Sequence, residues 1–370
     1  MIGDVEELAP PDVLRRCDGP IPGDEYLPAN PDDVWWGWLP CATSRAVLGV
    51  RPGTTVTIDT LSHEGLLEDQ GRDPVAFFGG HGVDRELVLD EGIALAASPR
   101  GRDPRRDGPH VVTGPIEVFG ASPGDLVAIT VVDLARRVPY GVISSRHGRG
   151  ALPDALGDAP AFSAFATVAA DAAGSAHGVL ARRRDRPDAG TVSFPLREFL
   201  GIVGVAVAGT SPAHSVPPGS HGGNLDINLL TIGSTLYIPV QVPGALVYVG
   251  DPHFAQGDGE VALTAFEAPL RATLRLDVVP AAEAVARFGE LVGPVGETAE
   301  LLIPTGLDAD LDVAVANCVR AALGILEASY GMDRLQAYAY LSAATDFDIS
   351  QVVDLVKGVH ARIRKSDFAR

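Results

Sequence analysis

Polar side chains suited to metal binding and acid–base chemistry concentrate in residues 216–276. They stand in glycine-bounded turns within HGGNLD and GDPHFAQGDGE, and they comprise His221, Asn224, Asp226, Asp251, His253, Gln256, Asp258 and Glu260. Two apolar, β-branched runs, Thr235–Val242 and Ala245–Val249, separate these turns and have the composition of strands. Each residue alone is most simply an ordinary turn residue. The whole group, however, predicts a site held on a rigid β scaffold.

The residues that several classes of hydrolase require are missing from this chain. The sequence has no G-x-S-x-G elbow and no H-E-x-x-H pair, which excludes the α/β-hydrolase triad and the zincin helix. The first lysine is Lys357, so amidase and nitrilase designs that need an upstream lysine are also excluded. No G-x-G-x-x-G or P-loop follows a strand, so a nucleotide cofactor is not indicated. What remains is a His/Asp/Glu constellation without a covalent nucleophile.

Three segments of this region carry a family resemblance: GSHGGNLDINLL, LYIPVQVPGALVYVGDPHFAQGDGE and TAFE. They resemble the acetamidase/formamidase family of metal-associated amide hydrolases. The likeness extends upstream to TIDTLSHEG, GPHVVTGPIEVFGASPGD and VPYGVISSRHGRGALP, and downstream to YLSAATDFDISQVVDLVKGVHARI, so it covers most of the chain from about Trp35. It implies cleavage of a short aliphatic amide, such as formamide or acetamide, to carboxylate and ammonia, and it implies a homo-oligomer.

Amide hydrolysis assigns roles to these residues. A divalent metal lowers the pKa of its water from about 15.7 to about 7, which supplies a nucleophile. We predict Asp226 and His253 as metal ligands, with His63 as a third ligand from the end of the strand TVTIDTL. Histidine with carboxylate favours zinc, and calcium or magnesium are the alternatives.

The remaining residues of the group surround this predicted metal. Glu260 is the candidate base, and Asp251 is the carboxylate that orients a ligand. We predict that Asn224, Gln256 and His221 bind the substrate amide through donor and acceptor groups.

Two other functions fit the same residues. Within enzymes, a lactamase acting on cyclic amides is the alternative. From another class, a non-catalytic β-sandwich protein could use the same side chains to bind a small ligand.

Composition limits the partners and the compartment. The net charge of −19 disfavours nucleic acid and anionic membranes but does not disfavour a small amide. The sequence has no apolar run of about 18 residues and no visible signal peptide. Three widely spaced cysteines, Cys17, Cys41 and Cys318, argue against a disulfide framework and favour a reducing cytoplasm.

The elements that must position the site are mainly strands. We predict a mainly β (α+β) fold: a sandwich or jelly-roll-like body, a smaller α+β part and C-terminal helices. Residues 1–34 are predicted as an extended arm, 35–280 as the β-rich catalytic body, and 281–370 as a helical region packed on it. Within the last region, DISQVVDLVKGVHARI is predicted as a third short helix followed by a terminal strand. Trp35, Trp36 and Trp38 are predicted to anchor the arm against the body or to fill a dimer contact.

Overall fold

The computed structural model describes residues 13–146, 148–155 and 161–368. Its helices are α1 (Pro74–Gly79), α2 (Asp90–Ala96), α3 (Ala281–Phe288), α4 (Leu311–Tyr330) and α5 (Arg334–Ala344). Strands of the first half are β1 (Glu25–Leu27), β2 (Trp35–Trp36), β3 (Trp38–Leu39), β4 (Leu48–Val50), β5 (Thr54–Asp59), β6 (Val111–Val118), β7 (Leu126–Arg136), β8 (Tyr140–Arg146), β9 (Ala161–Ala170), β10 (Ala176–Ala181) and β11 (Thr191–Pro195). Those of the second half are β12 (Phe199–Gly204), β13 (Ala213–His214), β14 (Gly222–Asn224), β15 (Thr235–Pro239), β16 (Val247–Ala255), β17 (Phe266–Glu267), β18 (Leu270–Val279), β19 (Val295–Glu297), β20 (Leu301–Asp308), β21 (Asp346–Gln351) and β22 (Lys357–Arg364).

One large sheet has the order β1-β5-β18-β7-β15-β19-β20-β22-β21. Its strands pair antiparallel except for β1 and β5, which are parallel. At the centre, Leu274 of β18 lies opposite Val56 of β5 and Val131 of β7. All three side chains are buried. This alternation of apolar residues explains why these segments form strands that bury one face.

The second large sheet has the order β11-β10-β9-β8-β17-β16-β12-β14, and β6 adds to it by pairing with β16, β2 and β4. Strand β16 is its centre and carries the motif GDPHFA. The register sets His253 opposite Phe199 on β12 and opposite Glu267 on β17. Asn224 of β14 lies opposite Ile202 of β12. The sheet therefore brings residues from three distant segments to one place.

The main core contains buried side chains from both sheets. Val56 and Leu274 of the first sheet belong to the same cluster as Ile116, Val247 and Val249 of the second. Burial of each such side chain contributes about 1.5–3 kcal/mol relative to exposure. The predicted mainly β fold with C-terminal helices is confirmed.

The first sheet continues into the C-terminal region. Leu236 of β15 pairs with Gly296 of β19, and β20, β22 and β21 follow in the same sheet. The boundary predicted between residues 280 and 281 therefore does not divide the sheet. Helix α4 begins at the side-chain cap Asp310 and ends at Gly331, whose φ of 62° suits glycine.

The predicted third helix in DISQVVDLVKGVHARI is wrong. This segment forms β21 and β22, and Val359 of β22 pairs with Gly306 of β20 and Ile349 of β21. Short apolar runs fit a helix and a strand equally well by periodicity alone. Here the unpaired edge of β20 decides in favour of a strand, because pairing satisfies its backbone groups.

The N-terminal segment is tied to the body over its described part, while residues 1–12 of the predicted arm lie outside the described residues. Leu14 N donates to Arg137 O, and β1 pairs with β5. The indole Nε1 atoms of Trp36 and Trp38 donate to Pro109 O and to Asp107 Oδ1, both at 3.0 Å. The tryptophans thus anchor this segment to their own chain.

None of the helices in the described residues has both the length and the hydropathy that a membrane-spanning helix requires.

Candidate active site

Three of the predicted site residues have an unusual backbone. Asp226, Asp251 and Glu260 have φ values of 50°, 51° and 46°, in the left-handed region. For residues other than glycine this conformation costs about 1–3 kcal/mol each, and it persists where the surroundings enforce it. All three side chains are buried. The surrounding fold therefore offsets two free-energy costs at these residues: the strained backbone conformation and the burial of the carboxylates.

Gly201 on β12 makes room for the group. A β-carbon at this position would lie 2.4 Å from Asp226 Oδ1, 2.7 Å from Asp251 Oδ2 and 2.8 Å from His253 Cε1. The three side chains therefore converge on the space that a side chain of residue 201 would fill. A functional group held this close to the backbone needs glycine beneath it.

His253 lies at the centre of this group and is fully buried. Its Nε2 is 3.1 Å from Asp251 Oδ2 and 3.0 Å from Glu267 Oε1. Its Nδ1 is 3.1 Å from Gln256 Oε1 and 4.0 Å from Asp226 Oδ1. Although burial alone would lower the pKa of His253, the carboxylates of Glu267 and Asp251 hold it well above its usual range.

Both the nitrogen and the oxygen of the Gln256 side-chain amide are engaged by other groups of the protein. Its Nε2 donates to Asp226 O at 2.8 Å and to Ser350 O at 3.1 Å, while its Oε1 lies beside His253 Nδ1. The predicted contact of Gln256 with substrate would require breaking these bonds. In this structure the residue instead fixes the backbone of Asp226 and the ring of His253.

The carboxyl groups of the cluster differ in the direction in which their pKa values are shifted. Burial raises the pKa of Asp226 to about 8, with Asp251 adding to the rise and His253 opposing it. Burial also raises the pKa of Glu260, to which the Asp226 charge contributes. For Asp251, burial acts in the same direction, but the neighbouring His110 and His253 hold its pKa well below the usual range. Several acids so close together cannot all ionise without added positive charge.

A second set of donors joins the first through Asp251. His63 Nδ1 is 3.5 Å and His110 Nε2 is 3.9 Å from Asp251 Oδ1. The two imidazole rings meet edge to face, with centroids 5.3 Å apart. Burial lowers the pKa of His110 to about 4, so its ring is neutral. His63 therefore lies in a donor set with His110 and Asp251, and the two other ligands predicted from the sequence, Asp226 and His253, lie together in another set.

These side chains form overlapping groups that could hold a metal ion. Ligand atoms lie within 4.8 Å of one another in the sets His63–His110–Asp251, Asp226–His253–Glu260 and Asp251–His253–Glu267. Among the described atoms, several polar atoms here have no hydrogen-bond partner although they are buried: both ring nitrogens of His63, both carboxylate oxygens of Asp226, Asp251 Oδ1 and Glu267 Oε2. Buried polar atoms without partners are costly, and such a set of nitrogen and oxygen donors fits a divalent cation.

A cavity of about 480 Å³ opens beside this group. It is lined by His63, His110, Arg146, Thr264 and Asp354, among others. Of the candidate donor sets, His63–His110–Asp251 is therefore the one that faces the cavity. Asn224 and His221, predicted as substrate-binding residues, are buried and do not line the described part of its wall.

Sequence reasoning missed three residues of this site as individuals. His110 precedes β6, Glu267 lies on β17, and Asp354 follows β21, where its carboxyl lies beside that of Asp226. Glu64 accepts from Arg146 Nη2 at 2.9 Å and from Ser144 Oγ at 2.9 Å, next to His63. His110, Glu267 and Asp354 fall in the segments GPHVVTG, TAFE and DISQVVDLV, so membership in the quoted motifs was the available signal.

Comparison with known proteins confirms the resemblance in these segments. Residues 205–363 match the model of the Acetamidase/Formamidase family. An acetamidase of Mycolicibacterium smegmatis is 29% identical over 201 residues, covering 41% of this chain and 49% of that protein. A formamidase of Methylophilus methylotrophus is 28% identical over 201 residues, covering 41% and 47%. The chain thus spans about half the length of these relatives.

Solved structures show the same fold. An acetamidase from Bacillus halodurans superposes with a TM-score of 0.70 at 24% identity, over 93% of this chain and 98% of that one. An acetamidase from Yersinia enterocolitica gives a TM-score of 0.73 at 22% identity, over 93% of both chains. A gamma lactamase from Delftia acidovorans gives 0.51 at 21% identity, over 92% and 90%.

Proposed function

We propose that this chain is a metal-dependent amide hydrolase that converts a carboxamide to a carboxylate and ammonia. The observation that carries the proposal is the convergence of buried, unpartnered carboxylate and imidazole atoms around Gly201 and beside a cavity. The similarity of residues 205–363 to the Acetamidase/Formamidase family supports the reaction class.

The cavity-facing donors would hold the metal. His63, His110 and Asp251 offer two imidazoles and one carboxylate, a set that would suit zinc, and both histidines line the cavity. When bound, a divalent ion would supply an activated water and polarise the amide carbonyl. The adjacent set Asp226–His253–Glu260 contains the two ligands predicted from the sequence, and it is the alternative location.

Carboxyl groups beside the metal donors would move the proton. Hydrolysis requires a base for water and an acid for the departing nitrogen, and a carboxyl with a raised pKa serves both purposes near neutral pH. Burial raises the pKa of Glu260 and of Asp354. Glu260 is the base predicted from the sequence. Asp354 lines the cavity and is therefore the second candidate.

Neighbouring residues would orient these groups. Glu267 lies 3.0 Å from His253 Nε2, and Gln256 lies at the other ring nitrogen, so the imidazole is held from both sides. Arg146 and Ser144 fix Glu64 at its contact with His63, where Glu64 Oε1 is 3.3 Å from His63 Nε2. Such contacts set ring orientation and ligand basicity.

Ammonia release from a substrate panel tests the proposal. Purified protein is assayed with formamide, acetamide, longer linear amides and a γ-lactam, before chelation, after chelation, and after zinc, calcium or magnesium is added back. We expect hydrolysis that chelation abolishes and one metal restores. Turnover confined to the lactam would favour the cyclic-amide alternative. Ligand binding without turnover of any amide would overturn the proposal in favour of a binding protein.

We also propose a cytoplasmic homo-oligomer. Cys17, Cys41 and Cys318 are all free thiols in the structure, which supports a reducing compartment. Subunit number is measured by light scattering on the purified chain, and compartment is measured by fractionation.

A further inference from the structure

Four arginines and four carboxylates border the cavity beside the candidate site. Arg102, Arg105, Arg146 and Arg149 all border it, together with His63 and His110. The whole chain carries a net charge of −19, so this concentration of arginine runs against the average charge.

One of these arginines is already neutralised by the protein. Arg146 donates from Nη2 to Glu64 Oε1 at 2.9 Å and from Nε to Asp69 Oδ2 at 2.9 Å. The carboxylates of Glu64 and Asp69 thus bind two different nitrogens of the guanidinium. Arg146 therefore holds Glu64 in place and has no charge to spare for a ligand.

Arg102 is buried without such partners. Its side chain is 4% exposed, and the guanidinium lies 4.4 Å from the centroid of the Trp36 ring. Nη2 donates to Gly108 O at 2.8 Å, but Nε and Nη1 have no hydrogen-bond partner among the described residues. Glu68 Oε1, at 3.9 Å from Nε, is beyond hydrogen-bond reach. A buried guanidinium with free N–H groups is costly unless something else binds them.

Two carboxylates, Glu68 and Asp107, act electrostatically on Arg102, but neither accepts a hydrogen bond from its Nε or Nη1 among the described residues. Asp107 accepts from Trp38 Nε1 at 3.0 Å and from Asp103 N at 2.8 Å, so its oxygens are engaged. Arg105 and Arg149 are exposed at the rim, and neither side chain makes a hydrogen bond or ion pair within the described parts of the chain. After Arg146 and its partner Asp69 are set aside, three arginines and three carboxylates (Glu68, Asp107 and Asp354) border the cavity, and Arg102 is the buried arginine among them.

We propose that the cavity binds amides carrying a carboxylate at the end remote from the scissile bond, and that Arg102 binds that carboxylate. The inference rests on the proposed amide hydrolysis and specifies its substrate class. The planar guanidinium presents parallel N–H groups that match the two oxygens of a carboxylate. Hydrolysis adds water across the C–N bond, releases ammonia, and leaves a dicarboxylate, while the carboxylate on Arg102 is unchanged.

The size of the cavity agrees with such a substrate. Its volume of about 480 Å³ lies in the range of about 300–1,000 Å³ that is typical of sites for ligands much larger than acetamide. Acetamide would occupy a small part of this space. A monoamide of a short dicarboxylic acid has a functional group at each end.

A matched pair of substrates tests the proposal. Glutaramate carries one amide and one carboxylate, and glutaramide is its neutral analogue of nearly the same shape. For the wild-type protein with its metal we expect kcat/KM to be at least about 10-fold higher for glutaramate, the scale of a charge-assisted hydrogen bond. In Arg102→Met this ratio should fall toward unity. Arg51→Met, which removes an exposed arginine away from the cavity, should keep the wild-type ratio.

The outcomes separate this inference from the proposed function. Equal hydrolysis of both substrates by the wild type overturns the inference and leaves amide hydrolysis intact. If no amide is hydrolysed, calorimetry with glutarate decides: binding weakened in Arg102→Met supports the anion site, and no binding to the wild type overturns it. If Arg102→Met fails to fold, Arg149→Glu at the exposed rim must lower the glutaramate preference, and an unchanged preference overturns the inference.

Discussion

Asp226 and Asp251 both have a left-handed backbone, and both direct their carboxylates at the α-carbon of Gly201. Asp251 lies on β16 and Asp226 follows β14, 25 positions earlier in the chain; β12 lies between these two strands in the second sheet. The pairing of β14 and β16 with opposite sides of β12 therefore creates the acidic centre, and the missing side chain of residue 201 gives it space.

We expect Gly201→Ala to abolish activity without unfolding the protein. The new methyl group would stand 2.4 Å from Asp226 Oδ1, so the carboxylate must move by about 1 Å or more. Misplacement on that scale costs about 100-fold in rate. The measurement is kcat/KM for the amide that the wild type hydrolyses, together with circular dichroism. Wild-type turnover in a folded Gly201→Ala protein would show that these carboxylates are not at the reacting centre.

Gly324→Ala provides the matched glycine control and a prediction of its own. Gly324 lies inside α4, and an added β-carbon would meet no atom within 4 Å outside the local helix backbone. Since alanine loses less backbone entropy in a helix, the free energy of unfolding should rise by about 0.5–1 kcal/mol. Chemical denaturation measures this change. Activity should equal that of the wild type.

Arg137→Met should destabilise the fold severely. Arg137 is fully buried, donates to Glu91 Oε1 at 2.8 Å, and also donates to the backbone oxygens of Leu14 and Thr60. Its removal leaves the buried Glu91 carboxylate without its ion pair, which costs about 3–5 kcal/mol. The neighbouring Arg136→Met is the control, because Arg136 pairs with Glu198 at the surface and such pairs contribute about 1 kcal/mol or less.

Denaturant titration of both variants checks this prediction. Adding Glu91→Gln to Arg137→Met should recover part of the lost stability, since the neutral amide is less costly to bury than the unpaired charge. Equal losses in Arg136→Met and Arg137→Met would contradict the role given to the buried pair.

Local sequence predicted most of the fold because most strands are amphipathic or flanked by turn residues. Alternation identified β5, β7 and β18, and glycine marked the end of α4. The same reasoning predicted a terminal strand, as found in β22, but failed at β21, which pairs with β22; β22 in turn pairs with β20, more than 40 residues away along the chain. Non-local pairing of this kind has no local signature in one sequence.

The residues of the candidate site also divide into those that local sequence predicted and those that it missed. Asp226, Asp251, His253 and Glu260 were predicted as one group because they are close in sequence, although Asp251 and His253 lie on β16 and not in the turn that the sequence predicted. His110 was missed because only the pairing of β6 with β16, which sets Val112 opposite Gly250, brings it to Asp251. Glu267 reaches His253 through the pairing of β17 with β16. Spacing within a motif does not reveal which distant strand will lie beside it.

Substitutions in the two donor sets should show which one holds the metal. We expect His63→Gln and His110→Gln to lose the metal and the activity together, since both residues belong to the set facing the cavity. Glu260→Gln should keep the metal and lower kcat, because it removes a proton acceptor while leaving that set intact. His177→Gln is the control, since His177 pairs with Asp171 at the surface, on β10 and outside these donor sets.

Mass spectrometry of metal content and the thermal midpoint with and without chelator measure these effects. Because a ligand at 100 times its dissociation constant stabilises a fold by about 2.7 kcal/mol, chelation should lower the midpoint of the wild type, of Glu260→Gln and of His177→Gln. It should not change that of His63→Gln or His110→Gln. The opposite pattern, with metal lost in Glu260→Gln and retained in both histidine variants, would place the ion at Asp226, His253 and Glu260.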